Sequence, residues 1–165
     1  MAKGYSQKEC VDFNEVFSPV VKHSSIRVLL AIVSRLDFEL KQLDVKTTFL
    51  HGELEEQIYM HQPEGFAISG KEDHVCLLKK SLYGLKQSPR QWYKRFDTFM
   101  LSQDYSRSEH DSCVYFRKLS DGSFIYLLLY VDDMLIAAKN MSKINRLKKQ
   151  LSGEFEMKDL LYGNW

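Results

Sequence analysis

Residues 124–138 read FIYLLLYVDDMLIAA, and the fold turns on that stretch. Two apolar runs predict two buried strands. Between them stand two adjacent carboxylates, Asp132 and Asp133. A core buries apolar surface and excludes ionised carboxylates. The pair is therefore tolerable at the tip of a hairpin, as ligands to a cation, or as both. Aspartate suits turns. Yet where this chain needs only a turn it uses Asp121-Gly122, the better turn chemistry. The pair alone leaves the plain turn and the functional site open.

Asp44 shifts the balance. It interrupts the apolar pattern of QLDV, in a strand expected over about residues 38–46. If that strand lies beside the 124–138 hairpin, three carboxylates converge. Like charges at close range raise one another's pKa and repel, so the cluster calls for cations. Hard divalent ions fit. Magnesium keeps several waters and completes its shell with phosphate oxygens. Two such ions about 3.5–4 Å apart clamp an in-line phosphoryl displacement. The residue types alone point to metal-dependent phosphoryl or nucleotidyl transfer.

Working outward, residues 1–20 are polar and irregular, with AKGYSQ expected as strand and turn. Ser24 or Ser25 is expected to cap a helix over roughly 25–37, with Ile26, Leu29, Leu30, Val33 and Leu36 facing a core. Glu53, Glu55 and Glu56 read as a solvated turn or helix start. IYMHQPEGF and VCLLKK each hold a short strand, with a polar surface connection over 67–74. Ser88 before Pro89 is a helix start, and that helix should reach about residue 102 with Trp92, Phe96, Phe99 and Met100 on its apolar stripe. DSCVYFRK is a strand turning at Asp121-Gly122 into the central hairpin. Ser142 should cap a basic helix to about Leu151 with Ile144, Leu147 and Leu151 inward, and GEFEMKDLLYGNW begins like a strand. Helices and strands mix without regular alternation, which predicts an α+β fold with helices on one face of an antiparallel sheet. No repeat or linker appears, so one domain over 1–165 is expected.

Composition sets the outer limits. A chain of 165 residues, 44% hydrophobic, can bury its own core. The net charge of +1 does not mark a nucleic-acid binder, but lysines and arginines gather at 79–95 and 143–149. No apolar run is long enough to span a membrane, and no signal sequence opens the chain. Cys10, Cys76 and Cys113 are odd in number and widely spaced, which fits reduced intracellular thiols better than a disulfide framework. The histidines show no metal-ligand spacing.

Three motifs occur in order: QLDVKTTFLHGELEEQIYMHQPEGF, LLKKSLYGLKQSPRQWY and YLLLYVDDMLIAAKN. Together they resemble the reverse transcriptase domain of a plant copia-type LTR retrotransposon, over nearly the whole chain. The resemblance implies a right-hand polymerase palm with partial fingers. It implies RNA- and DNA-templated DNA synthesis from deoxynucleoside triphosphates on a primer, with two magnesium ions for which manganese can substitute. Asp44, Asp132 and Asp133 match the metal-binding aspartates, and Val45 would contribute its backbone beside them. Phe49 matches the aromatic gate that excludes a ribose 2′-hydroxyl. Tyr83, Gly84, Lys86 and Gln87 match residues bordering the incoming nucleotide. Ser88, Pro89 and Arg90 match the nucleic-acid-facing helix start, and Lys94 and Arg95 are further candidates for phosphate contacts. Lys158 falls where a lysine would protonate the pyrophosphate leaving group. Lys3 resembles the end of a fingers segment that touches the triphosphate.

The departures are also specific. Thr48 stands where a small alanine is usual, LLYGNW replaces the start of the primer grip, and the upstream fingers strands, thumb, RNase H, protease and integrase are not recognisable. These departures predict a domain truncated at both ends and impaired in isolation. The alternative is a catalytically inactive transposon remnant, or one co-opted to bind nucleic acid or a protein partner. The setting would be a cytoplasmic virus-like particle or the nucleus, with no membrane.

Overall fold

The computed structural model describes residues 2–159. Its chain divides into two compact units, residues 1–18 with 49–95 and residues 19–48 with 96–165. The described elements are α+β, as the mixed order of helices and strands implies.

The second unit holds a six-stranded sheet. Its strands are β1 (Glu39–Val45), β4 (Ser106–Arg107), β5 (Val114–Lys118), β6 (Phe124–Tyr130), β7 (Asp133–Ala138) and β8 (Met157–Asp159), in the order β4-β5-β6-β7-β1-β8. Every pairing in it is antiparallel. The β6–β7 hairpin is nearly all core, with Leu127, Leu128, Met134, Ile136 and Ala137 essentially inaccessible. Asp121-Gly122 makes the preceding turn, where Gly122 takes a left-handed φ of 80° and the Leu119 N–H donates to the Ser123 carbonyl at 2.8 Å. Helix α3 (Met141–Glu154) buries Ile144, Leu147 and Leu151, spaced to share one face. Each such burial stabilises by about 1.5–3 kcal/mol.

Helix α1 (His23–Leu36) packs on β7 but starts two residues earlier than its serines suggest. Its N-cap is Lys22, with no side-chain cap. The Ser25 hydroxyl donates instead to Asp111 Oδ2 at 2.6 Å, and the Lys22 N–H donates to the same oxygen at 2.9 Å. Asp111 Oδ1 accepts the Cys113 N–H at 3.0 Å. A distant carboxylate thus tethers the helix start, which no local pattern announces. Of the five apolar residues expected on the core face, only Leu29 is buried, while Leu30 and Leu36 are exposed. Ser142 likewise is not a cap. Asn140 holds that position, and α3 begins at Met141.

Helix α2 (Ser88–Ser102) matches its expected span, and the unit boundary falls within it. Its C-terminal part belongs to the second unit, where Phe96 meets Tyr115 edge-on at 5.6 Å and Phe99 meets Phe155 at 5.3 Å. Its N-terminal part belongs to the first unit. There Ser88 does not act as a simple cap: its hydroxyl accepts from Ser81 and donates to the Leu82 carbonyl, both at 2.6 Å. Trp92 is buried, and Gly52 lies so close to α2 that a β-carbon there would sit 2.9 Å from Gln91 Cβ.

The first unit also contains a two-stranded sheet, β2 (Tyr59–His61) with β3 (Val75–Leu77). Its N-terminal segment departs from the expected strand. Gly4–Ser6 form a 3-10 turn against the 83–84 loop, with the Ala2 N–H donating to the Tyr83 carbonyl at 2.9 Å. The acidic stretch is more than solvated charge: Glu55 pairs with Lys94 at 2.5 Å, and Glu56 accepts from the Asn14 N–H and from Gln87.

Candidate active site

Strand register brings the two acidic motifs together. β1 pairs with β7 so that Asp44 stands directly opposite Asp133. Opposed residues on an antiparallel pair have β-carbons about 4.5–5.5 Å apart, and like charges there are destabilising. The Val45 N–H donates to the Asp132 carbonyl at 3.0 Å, extending the ladder to the hairpin tip. Expecting both aspartates at that tip is half right. Tyr130 pairs with Asp133, so the tip is Val131-Asp132 and Asp133 is the first residue of the return strand. Val131 has a φ of 58°, a left-handed conformation that a β-branched residue rarely adopts. Strain of this kind costs roughly 1–3 kcal/mol and persists where the surroundings enforce it.

The electrostatics follow from the register. Burial pushes the Asp44 carboxyl above its usual value, and the charges of Asp132 and Asp133 push it further. The opposing influence is Lys158 on β8, which stands opposite Asp44 on its other side. Gln42 was not anticipated as part of this site. It lies two residues before Asp44, on the same face of β1, and its Nε2 donates to Asp133 Oδ1 at 3.0 Å. Period-two spacing from Asp44 was the signal available for it.

The donor chemistry suits a hard divalent cation: carboxylate oxygens with excess negative charge. Among the described residues no three His, Cys, Asp or Glu side chains form a finished cation cage. A magnesium ion does not require one, since it is held by one or two carboxylates plus water and substrate phosphate. The Val45 carbonyl accepts the Thr48 hydroxyl at 2.8 Å, which leaves its second lone pair available.

The remaining sequence candidates lie in the first unit. Phe49 and Tyr83 stack at 4.8 Å between ring centroids, and both are partly accessible. Gly84 has a φ of 98°. Lys86 is exposed, lies 4.8 Å over the Phe13 ring, and takes the Gln7 Oε1 on its backbone N–H at 2.8 Å. Gln87 is fully buried, accepting from Gln7 and donating to the Asp12 carbonyl and Glu56. Arg90 pairs with Glu15 at 2.5 Å and donates to the Phe17 carbonyl. Pro89 is half-buried, its carbonyl accepting the Ser18 hydroxyl at 3.2 Å. Gln87 and Ser88 thus brace the 81–88 loop from inside, and the surface it presents consists of Tyr83, Gly84 and Lys86.

A family model described as reverse transcriptase (RNA-dependent DNA polymerase) matches residues 1–163. The chain belongs to that family. It is 59% identical over 160 residues to the retrovirus-related Pol polyprotein from transposon TNT 1-94 of Nicotiana tabacum. The Arabidopsis thaliana polyproteins from transposons RE2 and RE1 are 39% and 38% identical over 159 residues. These matches cover 96–97% of this chain but only 11–12% of each polyprotein. The motifs that resembled a plant copia-type element are thus supported by relatives from plant transposons, and the chain is a reverse transcriptase domain of retrotransposon type.

Proposed function

We propose that this domain is the palm, with part of the fingers, of a polymerase that adds deoxynucleotides to a primer on an RNA or DNA template. The observation that carries the proposal is the register that sets Asp44 opposite Asp133, one residue from Asp132 at the strained tip. Asp44, Asp132 and Asp133 would hold two magnesium ions, or manganese in their place, with the Val45 carbonyl as an added ligand. When bound, such ions acidify the primer 3′-hydroxyl and offset charge on the departing pyrophosphate.

The protein's own groups do the rest. Gln42 fixes the Asp133 carboxylate by its 3.0 Å hydrogen bond, so that one oxygen is oriented and the other left open. The Val131 turn and the Val45–Asp132 hydrogen bond hold the tip in place. Lys158 would donate a proton to the pyrophosphate oxygen as its bond to the α-phosphorus breaks. Phe49, braced by Tyr83, would exclude a 2′-hydroxyl by shape. Gly84 and Lys86 would border the nucleotide, Lys86 as a phosphate contact. Arg90 and Lys94, already paired with glutamates, would add less to nucleic-acid binding than their charges suggest. Lys3 and Arg95 are secondary candidates in the same role.

Single-nucleotide extension of an annealed primer tests this. The expected result is magnesium-dependent deoxynucleotide addition, slow for the isolated domain, abolished in Asp132→Asn and less selective against ribonucleotides in Phe49→Val. Addition by Asp132→Asn at the wild-type rate would refute it. Stable folding with no addition and no metal-dependent nucleotide binding would favour a binding domain without catalysis.

A further inference from the structure

A cavity of about 500 Å³ opens in the second unit, between α3 and the β4–β5 edge of the sheet. Its polar lining includes Tyr105, Arg117, Lys118, Lys143, Arg146 and Gln150, with one carboxylate, Asp104, among them. Four of them are cationic. Arg117 is committed, donating to the Gln103 carbonyl at 2.8 Å and lying 4.9 Å over the Tyr105 ring. Lys143 reaches Asp121 only at 3.6 Å. Lys118 and Arg146 are exposed and make no hydrogen bond or ion pair among the described residues.

Two neutral groups sharpen the specification. Tyr105 is only 3% exposed, yet its hydroxyl makes no hydrogen bond among the described residues. Burial pushes that phenol up to about 12, so it remains a donor. Gln150 donates through Nε2 to Gln103 at 2.7 Å, while its Oε1 is buried without a partner. A buried unpaired acceptor carries an uncompensated desolvation cost until something donates to it. The complementary ligand therefore presents an anion to two uncommitted cations and a phenol, and an N–H or O–H donor to Gln150. A volume of this size lies in the ordinary range for small-molecule sites, about 300–1,000 Å³.

We propose that this cavity binds the phosphate-bearing end of a nucleotide, one nucleoside monophosphate unit either free or at a strand terminus. Phosphate satisfies Lys118, Arg146 and Tyr105, and a base or sugar donor satisfies Gln150. The site is separate from the carboxylates. Lys118 pairs with Phe124 at one end of β6, whereas Asp132 follows the other end. Seven residues at about 3.4 Å each separate the two ends by roughly 20 Å.

Isothermal titration of the full chain with deoxyadenosine monophosphate, in EDTA, tests the assignment. EDTA and an Asp132→Asn background remove any contribution from the carboxylate site, so failure here is distinguishable from failure of the polymerase proposal. Saturable one-site binding is expected, unchanged in Asp132→Asn and weakened at least tenfold in Lys118→Ala/Arg146→Ala, with circular dichroism confirming that the double variant is folded. Gln150→Leu should weaken the nucleotide but not inorganic phosphate. Competition by a 5′-phosphorylated oligonucleotide identifies a strand end as the source, and its failure identifies the free nucleotide. Absence of saturable binding, wild-type affinity in the double variant, or equal competition by the 5′-hydroxyl oligonucleotide would overturn the proposal.

Discussion

Asp111→Ala removes the carboxylate that tethers the start of α1. Three donors lose their acceptor: the Lys22 N–H, the Ser25 hydroxyl and the Cys113 N–H. Cys113 is 1% exposed, so its N–H has no water to turn to. Stranding it costs about 1–3 kcal/mol. Lys22 and Ser25 are accessible enough to recruit water, which limits their losses to about 1 kcal/mol each. Removing a negative charge from a helix N-terminus adds about 0.3–1 kcal/mol. The sum is about 3–6 kcal/mol. At roughly 2–4 °C per kcal/mol, Tm should fall by roughly 6–24 °C. Asp111→Asn, which keeps one carbonyl oxygen, should lose about half as much. Thermal unfolding by circular dichroism reads the total, and hydrogen exchange locates it: amide protection in the first turns of α1 should fall before that of β6. A Tm within 2 °C of wild type, or undiminished protection in α1, would refute the tether.

Gly52→Ala places a β-carbon 2.9 Å from Gln91 Cβ and 3.1 Å from the Trp92 nitrogen, so the first unit should lose about 1–3 kcal/mol in denaturant unfolding. Asp44→Asn should raise stability near neutral pH in metal-free buffer. The folded state holds the Asp44 carboxyl above its ordinary value, so it binds the proton more tightly than the unfolded chain does. Wild-type stability therefore falls as pH rises from the ordinary carboxylate range through the raised value, and the asparagine variant lacks that loss. The gap between the two should close in acid, and magnesium should stabilise only the wild type. Stability curves measured from pH 3 to 8 check the sign.

Much of the site was legible because its chemistry conflicts with its surroundings. Two carboxylates inside FIYLLLYVDDMLIAA and one inside QLDV are residues a core would reject, and the β1–β7 register sets Asp44 opposite Asp133. The strands other than β4, with α2 and α3, were legible from period and turn chemistry. What was hidden depends on long-range partners. Ser25, Ser88 and Ser142 all look like caps, yet Ser25 serves a carboxylate 86 residues away, Ser88 an adjacent loop, and Ser142 gives way to Asn140. The burial of Gln87 against Asp12 and Glu56, residues far off in sequence, is another such partnership. The exposed apolar residues of α1 show the limit of helical periodicity, which predicts a face but not what covers it.

In the proposed polymerase, Asp44, Asp132 and Asp133 act together as a divalent-metal site for a nucleoside triphosphate. Manganese binding followed by electron paramagnetic resonance, with and without a deoxynucleoside triphosphate, tests it directly. Saturable manganese binding is expected, tightened by the triphosphate and lost in Asp44→Asn and in Asp132→Asn. Binding that survives both substitutions unchanged would contradict it.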